Sequence, residues 1–407
     1  MFLKINKSRN MMVSLVSFIV VVYPLIFGYR SIFPLITFGE VIALPIAFIA
    51  VILKKGKIIN EGAIICVIAY VVIRVSVSSF GFENYADSFG TGMRLALLYC
   101  FIIVLKPYFD EKQGKKYIEI VGILVSVYAI IQIIAARFDV YLTASLPLLT
   151  SIRDVDGEVL QKAMYGIRFR PTSILGEPAE LGGYLALPLA INLFDDKREK
   201  GWIWKSVFFS IAIALTMSST GIVLLLLEWA IYVFKSKNVR NQHFIVLTLV
   251  VGGGVVFFAS GLWKYFIDRT FRSYGGQGIK GILLNTHFKD IAGVYAENTG
   301  LFKFLFGNGM AEPPGFLPGI FRLYYYFGLF GTALFIYMLF NIYKRSNNSA
   351  QKSLMIVWLV MNLGGAYILG SFALPFIMFL SSSDDAYMTD YVVSTERSQY
   401  KRVLSSV

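Results

Sequence analysis

The sequence predicts an all-α protein, a polytopic transmembrane bundle of about eleven helices, within a range of about ten to twelve, with two longer external loops. Three observations predict it. Of 407 residues, 57% are hydrophobic and only 15% charged, against about a quarter charged in an average globular protein. Apolar runs long enough to cross a bilayer recur from Met11 to Leu380. Lysine and arginine gather in alternate links between those runs. A span needs about 20 mostly apolar residues, and lipid offers the backbone no partners, so such runs fold as helices.

Spans are expected at 11–29, 32–53, 60–80, 91–109, 117–136, 174–194, 202–219, 221–234, 243–262, 320–343 and 353–380. Lys4, Lys7 and Arg9 precede the first, as in a signal peptide. Tyr29-Arg30 follows it instead of a small-residue cleavage site, so it reads as an uncleaved span. The eighth is short. The last is long, with Gly364, Gly365, Gly370 and Pro375 as its expected break points. Residues 1–380 form one bundle, and Ser381–Val407 reads as a polar, disordered tail.

Charge orients the bundle. Lys54, Lys55 and Lys57; Lys106, Lys112, Lys115 and Lys116; Lys197, Arg198 and Lys200; Lys235, Lys237 and Arg240; and Lys344 and Arg345 all fall on the side of the N-terminus. The link at 81–90 on the other side carries Glu83 and Asp87. The positive-inside rule makes the basic side cytoplasmic and places Arg137–Ser173 and Trp263–Gly319 outside. This topology signal accounts for much of the net charge of +13 without nucleic acid. In the second loop Phe288, Ile291 and Tyr295, then Phe302, Leu305 and Phe306, alternate with Lys289, Asp290 and Glu297. That spacing fits a helix lying on the membrane or packed on the bundle. Cys66 and Cys100 fall inside apolar runs, so neither a disulfide framework nor a cysteine-bound metal is expected, and no cofactor is implied.

The outer surface carries the candidate chemistry. Arg153, Lys162, Arg168 and Arg170 lie in the first loop, and Arg269, Arg272 and Lys280 in the second. Arg322 opens the tenth span, and Arg74 and Arg94 lie in the outer halves of the third and fourth. An intramembrane arginine faces a partner or a wet cavity. Glu40 is an available partner for Arg74 or Arg94, in a bridge that could equally serve packing alone. Clustered guanidinium groups match the oxygens of a diphosphate, which makes Arg168, Arg170, Arg269, Arg272, Arg74, Arg94 and Arg322 candidate contacts to a diphosphate-linked lipid. Glu177 and Glu180, three apart at the mouth of the sixth span, could accept a proton from a sugar hydroxyl or interact with the helix dipole. His287 and Asp290 in the second loop are the next candidates for a base. Asp154-Val155-Asp156 matches a short metal–nucleotide-sugar pattern but lies outside, where nucleotide sugars are absent, and with Glu158 it lacks a full calcium loop. No Walker-type lysine loop occurs.

Three pieces of this sequence carry a family resemblance. Arg170 is followed by Glu177-Pro178 opening a span; LTMSSTGIVLLLL at Leu215–Leu227 is a polar break between apolar runs; and LFGNGM at Leu305–Met310 precedes a span with glycines at Gly328 and Gly331. In this order they resemble the bacterial O-antigen polymerase (Wzy-type) and O-antigen ligase superfamily, over about the fifth to the tenth span. A histidine motif typical of the ligases is missing from Gly315–Arg322, which favours a polymerase. Ser219-Thr220 stands where the family often has Ser-Arg. The resemblance implies a metal-independent glycosyltransferase in the bacterial cytoplasmic membrane. It would join repeat units linked to undecaprenyl diphosphate into O-antigen, capsular or exopolysaccharide on the outer face, alongside a chain-length regulator and a flippase. The alternatives are an O-antigen ligase, or a lipid-linked oligosaccharide flippase, which would show paired halves that this chain lacks.

Overall fold

The computed structural model describes residues 2–33, 36–53, 61–79, 85–140, 142–146, 149–150, 169–195, 200–235, 291, 300–310, 313, 315, 317–346 and 348–382. The described residues are mostly helical, with one isolated antiparallel bridge between Arg30 and Thr37 among them. The helices are α1 Phe2–Phe27, α2 Phe38–Leu53, α3 Gly62–Ser79, α4 Tyr85–Leu105 and α5 Glu111–Ala136. There follow α6 Pro178–Phe194, α7 Trp202–Leu215, α8 Ser219–Lys235, α9 Leu301–Phe306, α10 Gly319–Arg345, α11 Ser349–Gly364 and α12 Ala373–Leu380.

Among the described residues, four stretches are long and apolar enough to cross a membrane: Asn10–Phe27, Ser88–Tyr108, Glu111–Ala136 and Gly319–Arg345. Shorter apolar helices at Phe38–Leu53, Gly62–Val77 and Trp202–Leu215 accompany them. Large apolar side chains such as Phe48, Ile73, Leu124 and Leu226 are exposed, the arrangement expected where lipid rather than water covers the outside. The described helices do not reach the expected eleven spans. The expected ninth, 243–262, lies outside the described residues. The sixth begins at Pro178 rather than 174, because an extended segment and turn precede it. The last run breaks into α11, a short 3-10 turn at Tyr367–Leu369, and α12. Gly364, Gly365 and Gly370 fall in or beside that break. Pro375 does not, since it sits in the first turn of α12 where its missing N–H has no helical acceptor to lose.

Local signals explain several helix starts. Asp110 caps α5 by accepting from the Gln113 N–H at 2.7 Å, and Asn348 caps α11 by accepting from Ala350 N–H at 2.9 Å. Thr37 and Glu40 form a reciprocal capping box on α2: Thr37 N–H donates to Glu40 Oε2 at 2.6 Å and Glu40 N–H to Thr37 Oγ1 at 3.2 Å.

Polar ties mark the two ends of the bundle. At the basic end Glu61 meets Lys106 at 2.6 Å and Arg345 at 3.6 Å, Lys115 bridges Glu111 and Asp195 at 2.8 Å each, and Lys205 pairs with Glu119. At the opposite end the Tyr29 hydroxyl donates to the Ile174 carbonyl at 3.0 Å and accepts from the Leu146 N–H at 2.8 Å. Lysines from alternate links therefore share one end.

α10 is interrupted in its N-terminal half, where Gly328 takes φ 62°, ψ −164°. The carbonyls that lose their helical donors are satisfied from elsewhere. Asn308 N–H donates to Tyr325 O and Gly309 N–H to Tyr326 O, both at 2.8 Å. The Tyr70 hydroxyl of α3 donates to Phe327 O at 2.7 Å. A side chain on Gly307 or Gly328 would strike the other segment's backbone.

α12 returns toward the basic end. Gln351, near the start of α11, donates to Phe379 O at 3.3 Å, Trp358 stacks on Phe376 at 4.5 Å, and Ser382 Oγ donates to Glu111 Oε2 at 2.7 Å. In a protein with Cys66 and Cys100 replaced, Lys112→Cys and Ser382→Cys are expected to react with an impermeant maleimide from the same side of sealed vesicles, and Asp139→Cys from the other. Labelling of Ser382→Cys from the Asp139 side contradicts the return of α12.

Candidate functional site

The segment entering α6 is clamped on α5. Gln132 Oε1 accepts from the N–H groups of Thr172 at 3.3 Å and Ser173 at 2.8 Å, and Ser173 Oγ donates to Val125 O at 3.0 Å. Arg170 is buried, and its Nε donates to Thr216 O at 2.8 Å. Thr216 ends α7, so the guanidinium meets the carbonyl end of a helix, where a cation is favoured. Thr216–Ser218 forms the turn into α8, with Met217 at φ 48° and the Ser218 N–H donating to Thr216 Oγ1 at 3.2 Å. The polar break at Leu215–Leu227 is thus a helix hairpin. Its second helix crosses α6 closely: a Cβ on Gly182 would lie 3.0 Å from Gly221 Cα.

Glu177 and Glu180 do not share a run of helix as the sequence suggests. Glu177 is the exposed, extended residue before Pro178 and makes no side-chain capping bond. Glu180 is half-buried in the first turn. Both stand at the positive end of the α6 dipole.

One turn brings other candidates toward these carboxylates. Beyond α11, the Tyr367 hydroxyl donates to Ala179 O in the first turn of α6 at 3.3 Å. Gly319, which opens α10, packs against the carbonyls of Asn362 and Gly365. The mouths of α6 and α10 are therefore built on the same turn, and Arg322 lies one helical turn into α10. Beside it an apolar cavity of 180 Å³ opens between α10 and α11, lined by Ile320, Leu323, Leu359 and Leu363 among others.

Arg74 and Arg94 sit elsewhere. Arg74, 7% exposed, donates through Nε to Phe306 O at 2.7 Å and through Nη2 to Gly307 O, with its guanidinium 5.3 Å from the Phe302 ring centroid. It closes the end of α9 and does not pair with Glu40. Glu40 is engaged in capping α2, and Arg94 of α4 is the cation whose charge reaches it. The expected contacts Arg168, Arg269 and Arg272, and the expected bases His287 and Asp290, lie outside the described residues. Among the described residues no group of three His, Cys, Asp or Glu could hold a metal ion.

Sequence reading passed over Gln132, Thr216, Tyr367 and Tyr70. Gln132 left a signal, an amide inside an apolar run that must find partners. The others read as ordinary polar turns or packing aromatics. No family model matches the chain, and no curated protein matches it either.

The Arg170–Thr216 contact predicts a stability effect separate from any ligand. Arg170→Ala is expected to lose about 1.5–3 kcal/mol, the usual worth of a charged hydrogen bond, in reversible unfolding by SDS from mixed micelles. An unfolding curve that overlays the parent's contradicts this.

Proposed function

We propose that the chain is a membrane polymerase, a metal-independent glycosyltransferase of the bacterial cytoplasmic membrane. It joins undecaprenyl-diphosphate-linked repeat units into O-antigen, capsular or exopolysaccharide on the outer face. In this reading the bundle has about eleven spans, and Arg137–Ser173 and Trp263–Gly319 are external.

The observation that carries the reading is that sequence pieces far apart are joined at one end of the bundle. Arg170 of the first donates to Thr216 of the second. Gly307 of the third docks on Gly328, which belongs to the span that follows it. The turn after α11 holds the mouths of α6 and α10 together. Two pieces in direct contact, and a third on the helix whose mouth shares their support, favour a common task over loose matches.

The chemistry needs two kinds of group. An acceptor hydroxyl attacks the anomeric carbon of the donor glycan, the bond to the diphosphate breaks, and the hydroxyl proton passes to a carboxylate. Glu177 or Glu180 takes that proton. Arg322 and Arg170, with Arg168, Arg269 and Arg272 of the loops, offset the charge on the departing diphosphate. Glu177 precedes Pro178 at the mouth of α6 and is exposed. The apolar cavity beside Arg322 suits part of an isoprenoid chain.

Purified Glu177→Gln and Glu180→Gln proteins test this on a lipid-linked repeat unit in detergent, where a flippase would form no glycosidic bond. At least one is expected to fold normally and polymerise about a hundred-fold more slowly than the parent. Rates within a few-fold of the parent for both remove the two carboxylates from the reaction. No polymer from the parent enzyme itself rejects the polymerase reading.

A further inference from the structure

Glu228 sits midway along α8 and has no part in the reaction proposed above. Its side chain is fully buried, and neither carboxyl oxygen has a hydrogen-bond partner among the described residues. It lies on the buried face Gly221, Leu224, Glu228 and Tyr232, a spacing that turns one side of a helix toward its neighbours. α8 packs on α6, α7 and α11. Their titratable side chains are placed or engaged elsewhere. Glu180 stands in the first turn of α6, and the Tyr184 hydroxyl donates to Val21 O of α1. Lys205 of α7 pairs with Glu119, and Lys352 of α11 lies 5.7 Å from the Tyr343 ring centroid. On α8 itself Tyr232 follows one turn later. Lys235 follows that, with its ammonium 5.8 Å from the Phe194 ring centroid.

A buried carboxylate with neither donor nor countercharge costs several kcal/mol, whereas the acid form carries no net charge. A single carboxyl also falls short of the six to eight oxygens that calcium takes or the octahedral set that magnesium demands. The ligand this place suits is a proton. Tyr232 and Lys235 continue the same face toward the basic end, and the helical rise puts Lys235 about 10 Å along the axis from Glu228.

We propose that Glu228 is a proton-exchange site inside the bundle, loaded from the basic end along Tyr232 and Lys235. Intramembrane acids in such settings mark proton relays. The inference is independent of the glycosyl-transfer reading, because its test uses no substrate.

Infrared difference spectroscopy of the full-length protein in lipid nanodiscs reads the group directly. At neutral pH the parent is expected to show a protonated-carboxyl C=O band that Glu228→Gln lacks, and transfer to D2O is expected to shift it. Glu228→Asp, which keeps the acid and moves the band, identifies the group if the Gln variant does not fold. Tyr232→Phe is expected to slow the D2O shift several-fold. The absence of a Glu228 band overturns the proposal. A band that never shifts in D2O belongs to a structural proton and overturns it as well. An unchanged rate in Tyr232→Phe overturns the route.

Discussion

The hydroxyl of Tyr70 donates to the Phe327 carbonyl at 2.7 Å, and the arrangement of the α10 break depends on that bond. In hydrocarbon each unsatisfied backbone group costs several kcal/mol. A helix interrupted at Gly328 therefore survives only if its freed carbonyls find donors. Tyr70 supplies one and the backbone of Asn308 and Gly309 supplies two more. Arg74 then holds the carbonyls of Phe306 and Gly307, so the docking loop is itself held in place from α3. α3 thus contributes both the donor and the clamp.

This constraint leads to the candidate site. The N-terminal part of α10 is set apart from the rest of the helix by the break, and its first residue packs on the turn after α11. The same turn touches the first turn of α6. Arg322 and the two glutamates are thereby carried on helix mouths that share one support, which suits a reaction needing cations and a carboxylate close together. The burial of Arg74 against backbone carbonyls makes it a structural element of this assembly. A buried guanidinium needs acceptors at hand, and the open end of α9 provides them.

Much of this was legible before the structure. Apolar length and basic flanks marked α1, α4, α5 and α10, because hydrocarbon thickness and charge desolvation act directly on local composition. Gly364, Gly365 and Gly370 marked a break, yet the return of α12 depends on Trp358 meeting Phe376 and Ser382 meeting Glu111, contacts that local pattern does not encode. Gly328 and Gly331 marked a kink, but its side-chain donor comes from Tyr70, far away in the chain. Glu40 illustrates a readable signal passed over: Thr37 three residues before it spells a capping box, and that local bond took precedence over pairing with Arg74.

A double-mutant cycle across the break tests the central claim most directly. A methyl on Gly331 would press on two neighbours, the Phe327 Cβ 2.3 Å away and the Tyr70 ring, 2.6 Å from its Cε1. With Tyr70 present, Gly331→Ala is expected to lose about 1–3 kcal/mol through overpacking, measured by reversible unfolding in mixed micelles. In a Tyr70→Ala background the ring contact is gone while the Phe327 contact remains, and the same substitution is expected to cost about 1 kcal/mol less. An equal loss in both backgrounds would show that Tyr70 does not pack against the break at Gly331, and would contradict the account.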